Sequence, residues 1–108
     1  MELYQTSDEY LYNLESLSPQ ESRRLWKQSI KDSWGECAYC GSKDNLTLDH
    51  IIPQSKGGED RLFNVISACE SCNLNKAHTN WLEWYSNQIF FNIEKQKLIQ
   101  TWIDENRR

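Results

Sequence analysis

Three side chains near the middle of the sequence suit a metal site with a proton acceptor beside it. Asp49 and His50 are adjacent, and Asn73 follows later in the chain. Carboxylate and amide oxygens are hard ligands of the kind that Mg²⁺ and Mn²⁺ prefer. A neutral imidazole, whose unperturbed pKa is about 6.5, can take a proton from water at physiological pH. The three residues therefore predict a Lewis-acid site in which His50 is a general base.

The local backbone limits how these groups can meet. Adjacent residues of a strand point to opposite faces, so Asp49 and His50 share one site only where the strand ends or bends. Pro53 and the pair Gly57-Gly58 favour such an ending. Taken singly, residues of these types are more often turn caps or hydrogen-bonded polar groups. The prediction of catalysis therefore depends on their occurring together.

Four cysteines frame this region in two C-x-x-C pairs that are separated by 28 residues: Cys37, Cys40, Cys69 and Cys72. Two such turns bring four thiolates onto one ion, which is typical of closed, tetrahedral structural zinc. A thioredoxin-like redox pair is the alternative, but it uses a single C-x-x-C within a βαβ unit, and no βαβ pattern is present. Zinc binding can contribute on the order of 10 kcal/mol to folding, which a chain with a small core needs. The cysteines are therefore predicted to hold Zn²⁺ for stability.

The order of these residues resembles a known family. The motif residues occur in this sequence: Asp49-His50-x-x-Pro53, Gly57-Gly58, Asn64, and Cys69-x-x-Cys72-Asn73-x-x-Lys76. Over about residues 37 to 78 the pattern resembles the HNH endonuclease family in its zinc-stapled ββα-metal form. The resemblance implies an α+β fold, with a small ββα-metal finger and a Cys₄ zinc site flanked by N- and C-terminal helices. It also implies a metal-dependent DNA endonuclease that nicks one strand or cuts both.

The resemblance assigns roles to individual residues. His50 is the general base for in-line attack of water on phosphorus, while Asp49 and Asn73 bind a single divalent ion. The third letter of the family name is Asn73 here, an H-N-N variant that favours Mg²⁺ or Mn²⁺ over Zn²⁺ or Ni²⁺. Asn64 restrains the loop after the strand and orients His50. His78 is five residues beyond Asn73, about 140° round a helix, and is expected to miss the ion.

Basic residues near this region are predicted to contact DNA phosphates. They are Lys76, Lys56 and Arg61, although each is equally well explained as a solvated surface charge. The net charge of −4, with its acidic excess in the N-terminal third, argues against tight non-specific DNA binding. Two alternatives therefore stay open: a non-catalytic zinc-finger module that binds DNA or a protein, and a nuclease subunit that needs a protein partner.

The flanking segments must position this region. The chain is interpreted as one domain over 1–108, with an N-terminal helical extension (1–36), a zinc-bound ββα core (37–78) and an aromatic-rich C-terminal helical extension (79–108). A helix is predicted over 7–34, and Ser18-Pro19-Gln20-Glu21 marks the start of its second part, because it combines an N-cap, a first-turn proline and a capping-box glutamate. The other predicted elements are strands Leu46 to Ile52 and Val65 to Ala68, an exposed mobile loop from Pro53 to Asp60, a helix from near Cys72 and a helix from about Asn92.

The aromatic residues of the C-terminal extension have two interpretations. They could stack on nucleic-acid bases, but single-strand binders also use a basic groove, which this segment lacks, so core packing is favoured. No stretch of the sequence has the length and apolarity of a signal peptide or a membrane span. The protein is expected in the cytoplasm of a bacterial cell or a phage-infected host, without a membrane partner.

Overall fold

A computed structural model describes residues 3–9 and 18–107. Its elements are α1 (Pro19–Trp34), β1 (Leu46–His50), β2 (Val65–Cys69), α2 (Glu70–Lys76), α3 (Trp81–Ser86) and α4 (Ile93–Asn106), with 3₁₀ turns at Gln54–Lys56 and Leu62–Asn64. The predicted α+β class is confirmed. Residues 7–9 are helical, whereas 10–17, the rest of the first predicted helical stretch, lie outside the described residues. In the part of the chain that the structure describes, no helix has the length and apolarity needed to cross a membrane.

Helix α1 begins and ends where its sequence signals place it. The hydroxyl of Ser18 accepts the backbone N–H of Glu21 at 3.2 Å, and Pro19 takes the first helical position, where its missing N–H has no partner to lose. Gly35 ends the helix in a left-handed conformation with φ of 71°, which glycine adopts without strain. The predicted start of this helix is therefore confirmed.

One face of α1 covers the sheet. Trp26 and Ile30, one helical turn apart, are fully buried against Leu62 and Val65. In α4, the indole N–H of Trp102 donates to the Leu62 carbonyl at 2.8 Å. These contacts hold α1 and α4 against β2 and the 3₁₀ turn that precedes it.

The two strands form an antiparallel hairpin. Leu46 pairs with Cys69, and His50 pairs with Val65. The prediction that β1 would continue to Ile52 is wrong by two residues, because the chain bends after His50. Pro53 has no N–H for a ladder, and the Ile51 N–H is satisfied at the bend by the Asn64 carbonyl at 2.8 Å. Strand β1 therefore ends at His50, which is the condition under which Asp49 and His50 could share one site.

Asn64 ties down the loop between the strands. Its amide oxygen accepts the Ile52 N–H at 2.8 Å, and its amide nitrogen donates to the carbonyls of Ile52 at 3.0 Å and Glu59 at 2.9 Å. Gly58 is required because a Cβ at this position would lie 1.7 Å from the Ile52 carbonyl oxygen. The loop is mostly exposed, as predicted, and the hydrogen bonds of Asn64 hold it in a compact turn.

Aromatic residues of the C-terminal extension pack into the core. Tyr39, between the first two cysteines, packs edge-on against Trp84 with ring centroids 5.0 Å apart, and Tyr85 lies 5.3 Å from Tyr39. The Tyr85 hydroxyl donates to the Tyr39 carbonyl at 2.7 Å. Because Trp84 and Tyr85 are buried, the core-packing interpretation is confirmed for them.

The four cysteines meet at one point. Their sulfur atoms all lie within 4.8 Å of one another, and those of Cys40 and Cys69 are 3.6 Å apart. A tetrahedral zinc site with Zn–S bonds of about 2.3 Å has sulfur–sulfur edges of about 3.8 Å, so the arrangement fits this ion. Backbone N–H groups of Cys40 and Cys72 point at the sulfurs of Cys37 and Cys69, each at 3.5 Å.

The close approach of the thiols shifts the pKa of three of them. A hydrogen bond from Cys72 lowers the pKa of Cys37 to about 4, although burial opposes the change. The same contact raises the pKa of Cys72, and burial raises that of Cys40. Because neighbouring thiolates repel one another, a bound cation would favour the ionised form of the cluster.

Replacing one cysteine should therefore unfold the middle of the chain. For Cys72→Ser we expect loss of bound zinc and a fall in stability large enough to abolish the cooperative thermal transition, since zinc contributes on the order of 10 kcal/mol to such folds. Zinc content by elemental analysis and melting by circular dichroism measure both effects. Ser71→Ala, at an exposed position between the same two cysteines, should retain one zinc and a near-parental melting temperature. An equally stable Cys72→Ser protein would contradict the zinc assignment.

Candidate active site around His50

The side chains of Asp49 and His50 lie on opposite faces of β1. Asp49 is 3% exposed and faces α2. His50, whose side chain is 21% exposed, faces the side covered by α1, where Leu48 joins the cluster beneath that helix. The free edge of β1 and the bend after His50 are where the two faces meet. A shared site must therefore lie at this edge.

Asp49 is held by one hydrogen bond to each carboxylate oxygen. The Tyr39 hydroxyl donates at 2.7 Å to Oδ2, and the Lys76 ammonium donates at 3.2 Å to Oδ1. Burial raises the pKa of Asp49, and the neighbouring Lys76 charge opposes that change. Burial, reinforced by Asp49, raises the pKa of Tyr39 well above its ordinary value. Tyr39 therefore stays a neutral donor.

Lys76 does not lie where a phosphate could reach it. Its side chain is 0% exposed, and its ammonium also donates to the His50 carbonyl at 3.1 Å. The prediction that Lys76 contacts a DNA phosphate is therefore corrected. A fully buried lysine must be matched by a carboxylate, which here is Asp49. Lys76 instead fixes both Asp49 and the end of β1 from α2.

Asn73 and His50 line the same cleft as Asp49. This cleft has a volume of about 210 Å³ and also reaches Ser55 and His78. The amide nitrogen of Asn73 donates to the Thr47 hydroxyl at 2.9 Å and to the Leu48 carbonyl at 3.0 Å. Both amide protons are therefore engaged, so the amide oxygen is the acceptor that the Asn73 side chain can offer to a ligand.

The donor set of this cleft fits a hard divalent ion that retains several waters. Asp49 offers carboxylate oxygens whose second lone pairs remain available, and Asn73 offers its amide oxygen. His78 lies at the exposed mouth of the cleft, where its Nδ1 is 3.1 Å from the Ser55 hydroxyl. Helical spacing from Asn73 predicted that His78 misses the ion. His78 instead lies beyond the end of α2, and this hydrogen bond joins its ring to the loop.

His50 is oriented by a residue that the sequence did not reveal. Its Nε2 lies 2.9 Å from Oδ1 of Asp60, and the other Asp60 oxygen accepts from the Arg23 guanidinium. Burial alone would raise the pKa of Asp60, but the hydrogen bonds from Arg23 and His50 hold it below its ordinary value. Asp60 is therefore a carboxylate throughout the neutral range. Arg23 is 37 positions away in the chain, so no local spacing could have indicated this contact.

The remaining predicted residues lie farther from the chemistry. Asn64 restrains the loop as expected, but its side chain bonds to the backbone of Ile52 and Glu59 and not to the His50 ring. Lys56 is exposed on the 3₁₀ turn, and Arg61 is half-buried after Asp60. Neither lines the cleft that holds His50 and Asp49.

The buried Asp49–Lys76 pair can be tested by a double-mutant cycle. Lys76→Met leaves a buried carboxylate without its cation and should lower the free energy of unfolding by about 3 kcal/mol at neutral pH. Adding Asp49→Asn should recover part of that loss, because the remaining pair is neutral. Urea denaturation of the zinc-loaded variants measures each term. Independent, additive effects of the two substitutions would contradict the pairing.

Comparison with known proteins agrees with this geometry. Residues 37–79 match the model of the HNH endonuclease family. The chain is 30% identical over 89 residues to the CRISPR-associated endonuclease Cas9 of Corynebacterium diphtheriae, which covers 75% of this chain and 8% of the relative. It is 38% identical over 52 residues to the Cas9 of Actinomyces naeslundii, covering 44% of this chain and 5% of the relative. The chain thus spans less than a tenth of the length of these curated relatives. Residues 37–79, which carry the four cysteines, the hairpin and α2, form an HNH endonuclease domain.

Proposed function

We propose that this chain is a metal-dependent endonuclease that hydrolyses phosphodiester bonds in DNA, with His50 as its general base. The observation that carries the proposal is one cleft, within an HNH endonuclease domain, that His50 lines together with Asp49 and Asn73. Proton acceptor and oxygen ligands thus border the same space, which a phosphate group could enter. Each residue taken alone has a simpler structural explanation, but their convergence on one cleft does not.

The hydrogen bond between His50 and Asp60 supports an assignment of which ring nitrogen acts as the base. An ionised carboxylate accepts only, so His50 donates through a protonated Nε2. In the neutral ring, Nδ1 then carries the free lone pair. This nitrogen takes a proton from the attacking water as the water oxygen bonds to phosphorus. The bond to the 3′-oxygen breaks at the same time, and that oxygen takes a proton from a second water molecule. The products are a 5′-phosphate and a 3′-hydroxyl.

The other residues of the cleft serve the charge that develops on phosphate. An Mg²⁺ or Mn²⁺ ion held by Asp49 and Asn73 would supply Lewis-acid neutralisation of the phosphate and of the leaving oxygen. Lys76 and Tyr39 hold the Asp49 carboxylate in place, while Asn64 fixes the loop that borders the cleft. We assign these three residues to positioning.

Removing the base should abolish most of the activity. For His50→Ala we expect cleavage of supercoiled plasmid with Mg²⁺ or Mn²⁺ to fall by about 10²- to 10⁴-fold, the usual contribution of general acid–base catalysis. The assay distinguishes nicked from linear product, and so reports single- and double-strand cutting separately. His78→Ala is the matched control, because it removes the other histidine at the cleft and should change the rate less than tenfold. Parental cleavage by a folded His50→Ala protein would refute the assignment.

Asp60 should affect catalysis without affecting substrate binding. Asp60→Asn keeps the shape of the side chain but removes the charge that fixes the His50 tautomer, so kcat should fall on the order of a hundredfold with little change in KM. Asp60→Glu should restore part of the rate. Glu59→Gln makes the same change of charge at the exposed neighbouring position and should leave kcat unchanged. A parallel loss in both neutral variants would indicate a general charge effect instead.

A nuclease that depends on a partner is the second candidate. It is favoured by the net charge of −4 and by exposed apolar side chains such as Leu74 and Ile89. The relatives named above are also far longer chains. Weak DNA affinity of the isolated protein, together with strong stimulation by a protein that shields these side chains, would support this candidate. Saturable DNA binding with no cleavage in any divalent metal would instead support a non-catalytic zinc module.

A further inference from the structure

A second cleft lies beside His50 and carries basic residues that the proposed reaction does not use. It has a volume of about 380 Å³, and we call it the cationic cleft. One wall is the α1 face that bears Arg23, Lys27 and Lys31, and the other is β1 from Leu46 to His50. His50 lines both this cleft and the one that holds Asp49 and Asn73. The two clefts therefore adjoin at the proposed base.

We propose that the cationic cleft binds the phosphodiester backbone of the DNA strand that flanks the scissile phosphate. This inference rests on the proposed nuclease function and names where the substrate strand lies. Phosphate binding is driven chiefly by lysine and arginine groups that neutralise the backbone. A line of such groups leading directly to the proposed base meets that requirement.

The spacing of the basic residues suits a nucleic-acid strand. Arg23, Lys27 and Lys31 recur every four residues on a straight helix of 16 residues, so they form one row on its surface. At about 1.5 Å of rise per residue the row is about 12 Å long. This length corresponds to roughly three to four nucleotide steps of about 3.4 Å each, measured along the axis of a duplex.

The charge balance of the cationic cleft is positive. Asp60 is the only acidic residue among those described as lining it, and Arg23 and His50 already pair with that carboxylate. Within the described ranges, neither Lys27 nor Lys31 forms an ion pair. Both lysine side chains are half-buried. Their aliphatic parts can therefore lie along the cleft, while their ammonium groups remain available to bind an external anion.

The binding test neutralises the two unpaired lysines. Lys27→Gln with Lys31→Gln removes two charges and keeps good helix formers. The matched control, Lys43→Gln with Lys97→Gln, makes the same change of net charge at exposed positions outside the cleft. Binding to a duplex oligonucleotide is measured by fluorescence anisotropy over a range of salt concentrations. All proteins carry His50→Ala and bound zinc, so that cleavage does not interfere, and melting curves establish that each variant is folded.

We expect the cleft variant to bind roughly tenfold or more weakly at low salt and its log–log salt slope to fall by about two, one for each lost phosphate contact. The control should match the parent in affinity and slope. With His50 present, the cleft variant should show a raised KM and a kcat near parental. Equal binding by the cleft variant and the parent would overturn the inference while leaving the nuclease proposal intact. A parent protein with neither DNA binding nor cleavage would overturn both.

Discussion

The alternation of side chains along β1 sends Asp49 and His50 to opposite faces of the hairpin, where two different helices supply their partners. On one face, α2 brings Lys76 and Asn73 to the Asp49 side. On the other, α1 brings Arg23 to the carboxylate that holds His50. Because a strand cannot turn both residues to one side, their chemistry can combine only at the strand edge and at the bend that ends it. The rest of the structure holds that edge and the bend in place.

The cysteine cluster and the carboxylate site are joined through a single side chain. Tyr39 lies between Cys37 and Cys40, and its hydroxyl donates to Asp49. Its ring is also packed by Trp84 and Tyr85. The position of the hydroxyl therefore depends on the Cys37–Cys40 turn, which a bound zinc ion would hold closed. A metal ion bound by the four cysteines would thus help to fix the orientation of the Asp49 carboxylate, in the way that hydrogen-bond partners orient metal ligands elsewhere.

Sequence reasoning recovered the features that depend on short-range patterns. Ser18 and Gly35 lie at the ends of α1, and the C-x-x-C spacing predicted a cluster of sulfurs that the structure forms. Pro53 predicted that the strand would end, although not at which residue. These features follow from local chemistry, which a sequence displays directly.

Contacts between distant segments could not be predicted in this way. The Asp60–His50–Arg23 contacts join a loop, a strand and α1, and nothing in their spacing indicates that they meet. Lys76 was predicted to be a surface group because lysine usually is one. Its burial depends on Asp49 lying opposite, 27 residues earlier. The three hydrogen bonds by which the Asn64 side chain ties down the exposed loop are likewise invisible in composition.

The net charge of the chain is a poor guide to its ability to bind DNA, because affinity depends on where the charges lie. The N-terminal third has the largest excess of acidic residues, yet the α1 face that borders His50 is basic. Arg23 belongs both to that basic row and to the contacts of Asp60. A guanidinium has five N–H donors, so a phosphate could approach it without displacing the carboxylate. In the proposed complex, the residue that helps to orient the base would therefore also contact the substrate strand.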